Sequence, residues 1–427
     1  MFCGKPHRQT TRTMQQSDLF EPILAAYRNV QINDEGITNS ALYQALNLTG
    51  GDRKPVGRAR EPHNLQHRKV RWQQQTLRRL GLLERIPGQR GKWRLTPKAQ
   101  KDGDLTPAPE GVALVAFSTD LGLAIWTRTE TLAGKLTDQI SAIITSPPYP
   151  LREARAYGNC SEAEYVDFIC GALEPLLKNL ITGGCIALNV SNDIFLSKSP
   201  ARSMYVERLT LALHDRLGLQ LLERAIWHNP TKPPGPTYWA SIKRQQLNVG
   251  YEPVLIFCND PVRCIADNRR VLQPHSKRHT QLLAAGGEVR TATYGDGAFK
   301  LRPGSFGNVT AGKIPKNVIS IAHVSREVEK TRKEAKALGL PVHGALMPVK
   351  LAKLLVEFLT PPGGLVLDPF GGWCSTALAC EEAGYRWMAL EMMAEYAAGG
   401  GLRMSDRPGF LASFDLEHWK PAGAKRN

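Results

Sequence analysis

The stretch that most constrains this chain is Ser141-Ala142-Ile143-Ile144-Thr145, which breaks directly into Ser146-Pro147-Pro148-Tyr149. A run that is apolar at successive positions predicts a strand buried on both faces, as in a parallel sheet covered by helices. A residue before proline is driven out of the helical region, so Ser146 and Pro147 are both expected to be extended. Prolines carry no N–H, so the loop exposes carbonyl acceptors with few competing donors. A hydroxyl, bare carbonyls and an aromatic ring at the end of a buried strand suit a planar group bearing an NH₂. Taken alone, the stretch also reads as a plain strand and turn.

The pattern around it alternates helix with strand, the signature of an open α/β sheet. Residues 112–117 and 121–126 read as a short antiparallel pair. Ser161 and Glu164 form a capping-box pattern that opens a helix with apolar face Val166, Ile169, Leu173, Leu176, Leu177 and Leu180. Gly183-Gly184 is expected to stop it before a strand over 185–190. A helix over 205–217 and strands over 220–227 and 253–257 follow. Residues 346–359 form another amphipathic helix, with Pro348 in its first turn.

Residues 365–391 repeat the strand–turn–helix–strand theme with chemistry in the turn. Asp368-Pro369-Phe370-Gly371-Gly372 ends a strand, a helix starts near Thr376, and the next strand ends in Glu391. Glycines permit close backbone approach to a ligand, and an acid at the end of the following strand accepts ribose hydroxyls. With no phosphate-binding lysine after the turn, the pattern favours a nucleoside without phosphates.

Lysine and arginine number 55 against 39 acids, a formal charge of +16, which favours a polyanionic partner, nucleic acid first. No apolar run approaches the roughly 18 residues of a spanning helix, and no secretory signal opens the chain, so a cytoplasmic, membrane-free protein is expected. Eight scattered cysteines, never spaced C-x-x-C, predict reduced structural thiols and no metal site. His323 and His343 are read as structural. Between residues 261 and 316 ten basic residues face three acidic ones, and glycines break any long element, so an irregular basic region is expected. Its Arg269, Arg270, Lys277, Arg278, Arg290, Lys300 and Arg302 suit a phosphate backbone. Upstream, three helices and a basic-tipped hairpin over residues 18–96 resemble a winged helix, whose third helix, here carrying Arg68, Lys69 and Arg71, often enters the major groove; a solvated basic face or a protein-binding wing is the alternative.

Together, Ser146-Pro147-Pro148-Tyr149 and Asp368 through Thr376 resemble the two signature motifs of the S-adenosylmethionine-dependent DNA amino-methyltransferases of restriction–modification systems. The first matches (Ser/Asn/Asp)-Pro-Pro-(Tyr/Phe) and the second Asp-Pro-Phe-x-Gly-x-x-x-Thr, in the order of the permuted β group. The resemblance covers about residues 111–400. It implies a Rossmann-like methyltransferase α/β sheet in permuted order with a basic insert for target recognition; the N-terminal winged-helix-like domain, read from its own residues, lies outside it. The expected boundaries are 1–110 for the winged-helix-like part and linker, 111–260 for the catalytic half, 261–320 for target recognition and 321–427 for the cofactor half.

The same resemblance implies roles. Ser146, Pro147, Pro148 and Tyr149 are catalytic, with Ser146 Oγ and the Pro147 carbonyl accepting the amine hydrogens of a flipped base and Tyr149 stacking on it. Thr145, Asp368, Phe370, Gly371, Gly372, Ser375 and Thr376 line the S-adenosylmethionine pocket, with Glu391 on the ribose and Leu346, Pro348 and Leu351 nearby. Apart from the resemblance, Arg152, Arg155 and Tyr157 after the motif read as touching phosphate or filling the space left by the base, or else as a solvated basic loop. Trp373-Cys374 stands where Ser-Gly is usual, which predicts a more crowded turn, with Cys374 a packed side chain. Serine in the first catalytic position implies cytosine N4 as target in double-stranded DNA. Adenine N6, an RNA substrate and a regulator with an inactive methyltransferase domain are the alternatives. A homodimer and a cognate restriction endonuclease are compatible partners that the residues do not decide.

Overall fold

Alternating burial explains how the chain is layered. In the computed structural model the strand Ile140–Thr145 is buried along its whole length. Ala142 and Ile144 face one apolar layer and Ile143 the other, because successive strand residues point to opposite faces. The structure describes residues 105, 107–150 and 161–413, and upstream residues 23, 26–27, 36–48, 53–54, 63–79 and 83–95. The chain divides into two compact units, Met1–Asp104 and Leu105–Asn427.

The larger unit is built on a ten-stranded mixed sheet. In chain order its strands are β1 (Ala113–Ser118), β2 (Gly122–Thr127), β3 (Ile140–Thr145), β4 (Leu180–Asn189), β5 (Gln220–His228), β6 (Tyr251–Cys258), β7 (Val318–Ser320), β8 (Leu365–Asp368), β9 (Arg386–Glu391) and β10 (Leu411–Ala412). Their spatial order is β7-β5-β6-β4-β3-β8-β9-β2-β1-β10. The central strands β4, β3, β8, β9 and β2 run parallel, while β6 pairs antiparallel with both β4 and β5. The helices Val349–Leu359 and Ser375–Ala383 cover one face, and Tyr165–Leu173 and Tyr205–Asp215 the other.

Several expected elements differ in extent. The Ser161–Glu164 capping-box bonds form, with Ser161 Oγ 2.6 Å from the Glu164 carboxylate, but they brace a turn and the helix begins at Tyr165. It ends at Leu173 and tightens into a 3₁₀ segment, Glu174–Asn179, at Pro175, so β4 starts at Leu180 and runs through Gly183-Gly184. The basic region is not irregular. Ser276 caps a helix, Lys277–Ala284, and Ala292–Tyr294 pairs with Phe299–Leu301 across a Gly-Asp-Gly turn. Both signals, a serine N-cap and Asp-Gly between β-rich runs, are short and were outweighed by the glycine content.

In the smaller unit Thr38 accepts from the Ala41 amide to cap the helix Asn39–Ala45. A second helix spans Leu65–Arg79, and Lys92–Leu95 pairs with both Leu83–Arg85 and Ile37–Thr38. Arg68 and Arg71 are exposed on that helix, and Lys69 lies on it, its side chain outside the described residues.

Candidate active site

The two motif loops leave adjacent parallel strands. Val366 and Leu367 of β8 stand in register with Ala142 and Ile143 of β3, so Asp368 and Thr145 emerge side by side. Thr376 Oγ1 donates to the Ile144 carbonyl at 3.3 Å, tying the start of the helix Ser375–Ala383 to β3. One pocket is lined by Ser146, Leu346, Asp368, Phe370, Gly371, Gly372, Ser375 and Thr376 from the sequence reading. His343, Ala345, Met347 and Trp373, which that reading did not place there, complete the lining.

Backbone amides converge on Asp368, which lines this pocket, and on Glu391, which does not line it but ends the next strand. Glu391 accepts from the Gly372 and Met393 amides, each at 2.7 Å, so it holds the glycine turn in place. Burial pushes its carboxyl up to about 7, opposed in part by those two amides. Asp368 is raised by burial as well, against the hydroxyls of Thr145 and Thr376 and the Phe370 amide, which bonds it at 3.1 Å. A Cβ at Gly371 would stand 3.2 Å from both the Ala389 Cβ and the Leu390 carbonyl, so a larger residue there must push its neighbours aside slightly. Pro348 is the N-cap of the helix Val349–Leu359 and not part of its first turn. Leu351, expected beside the pocket, is instead fully buried in the core behind it.

The unusual Trp373-Cys374 pair is accommodated elsewhere. Cys374 adopts the left-handed conformation (φ 55°) that a glycine would take most easily. The Trp373 indole is fully buried against Gly399 and the Cys374 thiol lies against Gly400, both on the helix Ala394–Met404. The expected crowding at the turn is therefore relieved by glycines in a neighbouring helix. Arg403 of the same helix, its side chain fully buried, donates to the Trp373 carbonyl and to Ser375 Oγ and pairs with Glu327 at 2.6 Å.

At the other strand end, Ser146 Oγ is 3.1 Å from the Tyr149 hydroxyl, which donates to Glu252 at 3.0 Å. Glu252 also bonds Lys232 at 3.4 Å and Asn189 at 3.5 Å. Burial first, then the Glu252 charge, pushes the Tyr149 phenol well up, so it keeps its proton. Sequence reasoning missed Glu252, an acid at the edge of an apolar strand that was expected to begin one residue later.

The candidate DNA contacts fare unevenly. Arg152, Arg155 and Tyr157 lie outside the described residues. Lys277, Arg278, Lys300 and Arg302 are exposed. Arg269 and Arg290 are exposed but paired with Asp267 and Glu288. Arg270 is a correction: its guanidinium donates to the carbonyls of Ile265, Glu357 and Phe358 and so braces the end of the helix Val349–Leu359. The fold also gathers three of the scattered cysteines, with the Sγ atoms of Cys185, Cys258 and Cys264 within 4.8 Å of one another. Burial pushes the first two thiols up, which keeps them protonated.

A model of the DNA methylase family matches residues 140–399. The chain is 30% identical over 298 residues to the type II methyltransferase M.PvuII of Proteus hauseri, covering 68% of this chain and 86% of that one. A shorter match, 35% over 63 residues, covers 15% of this chain and 28% of the putative methylase YubD of Escherichia coli. Among solved structures, the PvuII cytosine-N4-specific DNA methyltransferase superposes with a TM-score of 0.54 at 25% identity, covering 71% of this chain and 91% of that one. With its two motif loops meeting in one pocket and the family match spanning both of them, the chain belongs to the DNA methylase family.

Proposed function

We propose that the protein transfers a methyl group from S-adenosylmethionine to the exocyclic N4 of cytosine in a specific duplex DNA sequence, acting in the cytoplasm. The observation that carries this reading is the shared pocket of Ser146 and Asp368 at adjacent strand ends, in a chain 30% identical to M.PvuII. The pocket suits the donor. Gly371 and Gly372 let the backbone approach a nucleoside closely, and each Glu391 oxygen keeps lone pairs for the ribose hydroxyls beyond its single amide bond. When bound, S-adenosylmethionine supplies an activated, electrophilic methyl group.

The chain's own part is to present the amine. Its nitrogen lone pair is delocalised into the ring, so hydrogen bonds that favour a pyramidal nitrogen raise its nucleophilicity. Ser146 Oγ and the Pro147 carbonyl accept the two amine hydrogens of the flipped cytosine. Glu252 sets the direction of the chain behind them. The Tyr149 hydroxyl donates to Glu252, which leaves the Tyr149 oxygen to accept from the Ser146 hydroxyl. The Ser146 lone pairs are then left facing the substrate. No strong base is needed, because the methylated ammonium product sheds its proton readily, and positioning carries the rate.

The basic segment 261–320, residues 151–160 and the winged-helix-like N-terminal unit with Arg68, Lys69 and Arg71 are read as the DNA-contacting parts. Incubating unmodified genomic DNA with protein and methyl-labelled S-adenosylmethionine, then digesting to nucleosides and sequencing, tests the proposal. N4-methylcytosine in one sequence context is expected; N6-methyladenine alone, or label only in RNA, overturns it.

A further inference from the structure

The connection between β5 and β6 carries a surface that the reaction chemistry does not use. From Asn229 to Gly250 it contains Lys232, Lys243 and Arg244 and no acid. Its root is fixed. Asn229 donates to Gly250 and Val249 to Gly235 across the two limbs, Gln246 bonds the Pro200 carbonyl at 2.9 Å, and Lys232 holds Glu252. Glu252 in turn bonds Tyr149, so Lys232 at the root stands three polar contacts from Ser146.

The tip is a different kind of surface. A π-helical turn, Thr237–Ile242, presents Tyr238 edge-on to Trp239, with ring centroids 4.7 Å apart. Tyr238 is 50% exposed, Ile242 65% and Leu247 87%. Lys243 lies 5.8 Å from the Tyr238 ring, and Arg244 is exposed beside it. Apolar side chains clustered in water and flanked only by cations mark an interaction surface, and the charge matches a polyanion.

We propose that this tip is the wedge that enters the duplex at the target. Tyr238 and Ile242 take the stacking space left by the extruded cytosine, while Lys243 and Arg244 grip the flanking phosphates. Apolar wedges flanked by phosphate-binding cations are a general means of stabilising unstacked DNA, since the inserted side chain replaces part of the lost stacking. The wedge rests on the proposed reaction on a flipped base, and its placement couples the two. An element anchored through Glu252 is seated on the same hydrogen-bond chain that orients Ser146.

The test uses the full-length protein and a synthetic duplex carrying the target site found by sequencing. Tyr238→Ala/Ile242→Ala is compared with wild type on the matched duplex and on one whose target cytosine faces an abasic site and is already unstacked. On the matched duplex the double variant is expected to lose on the order of tenfold or more in kcat/KM. On the abasic duplex it is expected to stay within about twofold of wild type, because the unstacking work has been done. Lys243→Ala/Arg244→Ala is expected to flatten the slope of log affinity against log salt by about 2. Equal losses on both duplexes, or none on the matched one, overturn the wedge. Failure of wild type on both duplexes overturns the proposed reaction instead.

Discussion

Ser146 Oγ and the Tyr149 hydroxyl stand 3.1 Å apart, and the second of them is claimed by Glu252. This relationship gives the serine a direction as well as a position. Ser146→Ala removes the amine acceptor and is expected to lower kcat about 10²- to 10³-fold, the usual cost of one oriented polar contact in a transition state. Glu252→Gln keeps the shape but offers an amide that can donate to Tyr149, allowing the chain to reverse. A hydrogen bond to a charged group contributes about 1.5–3 kcal/mol, so kcat is expected to fall roughly 10- to 100-fold. Both variants should leave KM for S-adenosylmethionine unchanged. A wild-type kcat for Glu252→Gln in steady-state assays would remove the directional role.

With the proposed ribose contact, Glu391 is expected to make cofactor binding depend on pH. Its carboxyl is raised from 4.5 to about 7 by burial, so across that window the native protein holds a proton that the unfolded chain has released. The contribution to stability is therefore favourable below pH 4.5 and is lost as pH rises toward 7. Ribose hydroxyls donate to the ionised form, so affinity moves the other way. With a tenth of the carboxyls ionised near pH 6 and nine-tenths near pH 8, Kd for S-adenosylmethionine should improve roughly tenfold between them. Calorimetry on wild type and Glu391→Gln checks this; an equal pH response in the variant would assign the titration to another group.

Two neighbouring arginines separate charge from architecture. Arg269 is exposed and paired only with Asp267, whereas Arg270 satisfies three backbone carbonyls. Arg270→Ala is expected to cost about 1–3 kcal/mol of stability, seen as a lowered Tm, by leaving part-buried acceptors without their donor. Arg269→Ala should leave Tm in place and reduce the salt slope of DNA binding by about 0.9. Indistinguishable melting curves for the two variants would show that the carbonyl bonds of Arg270 contribute little.

The contrast also shows what a sequence makes visible. β3 and β8 were legible because strands buried on both faces read as continuous apolar runs, and their loops carry residues unusual for plain turns. Sheet order, and with it the meeting of Ser146 and Asp368, followed only through the family resemblance. Glu252 was not legible, since its partner Tyr149 lies 103 positions away and nothing local marks an acid at a strand edge as an acceptor. Arg270 was misread for a related reason: charge density is a property of the sequence, but the carbonyls that take up a guanidinium are supplied by the fold.

The same reasoning applies to the bulky pair in the cofactor turn. Taken alone, Gly399 is a poor residue for a helix interior, and alanine there would ordinarily add about 1 kcal/mol of stability. In this fold an added Cβ would stand 2.3 Å from Trp373 Nε1 and 2.7 Å from the neighbouring ring carbons. The indole is fully buried and cannot swing away, so overpacking of about 1–3 kcal/mol should outweigh the helix gain. Trp373 also lines the pocket, and its carbonyl is held by Arg403, so the displacement should reach the cofactor turn. Gly399→Ala is therefore expected to lower both Tm and the affinity for S-adenosylmethionine. Gly399→Ala combined with Trp373→Ser should lower Tm by less than the sum of the two single variants, because the smaller side chain removes the collision. A stabilised Gly399→Ala single variant would mean that the indole does not depend on the glycine for its space.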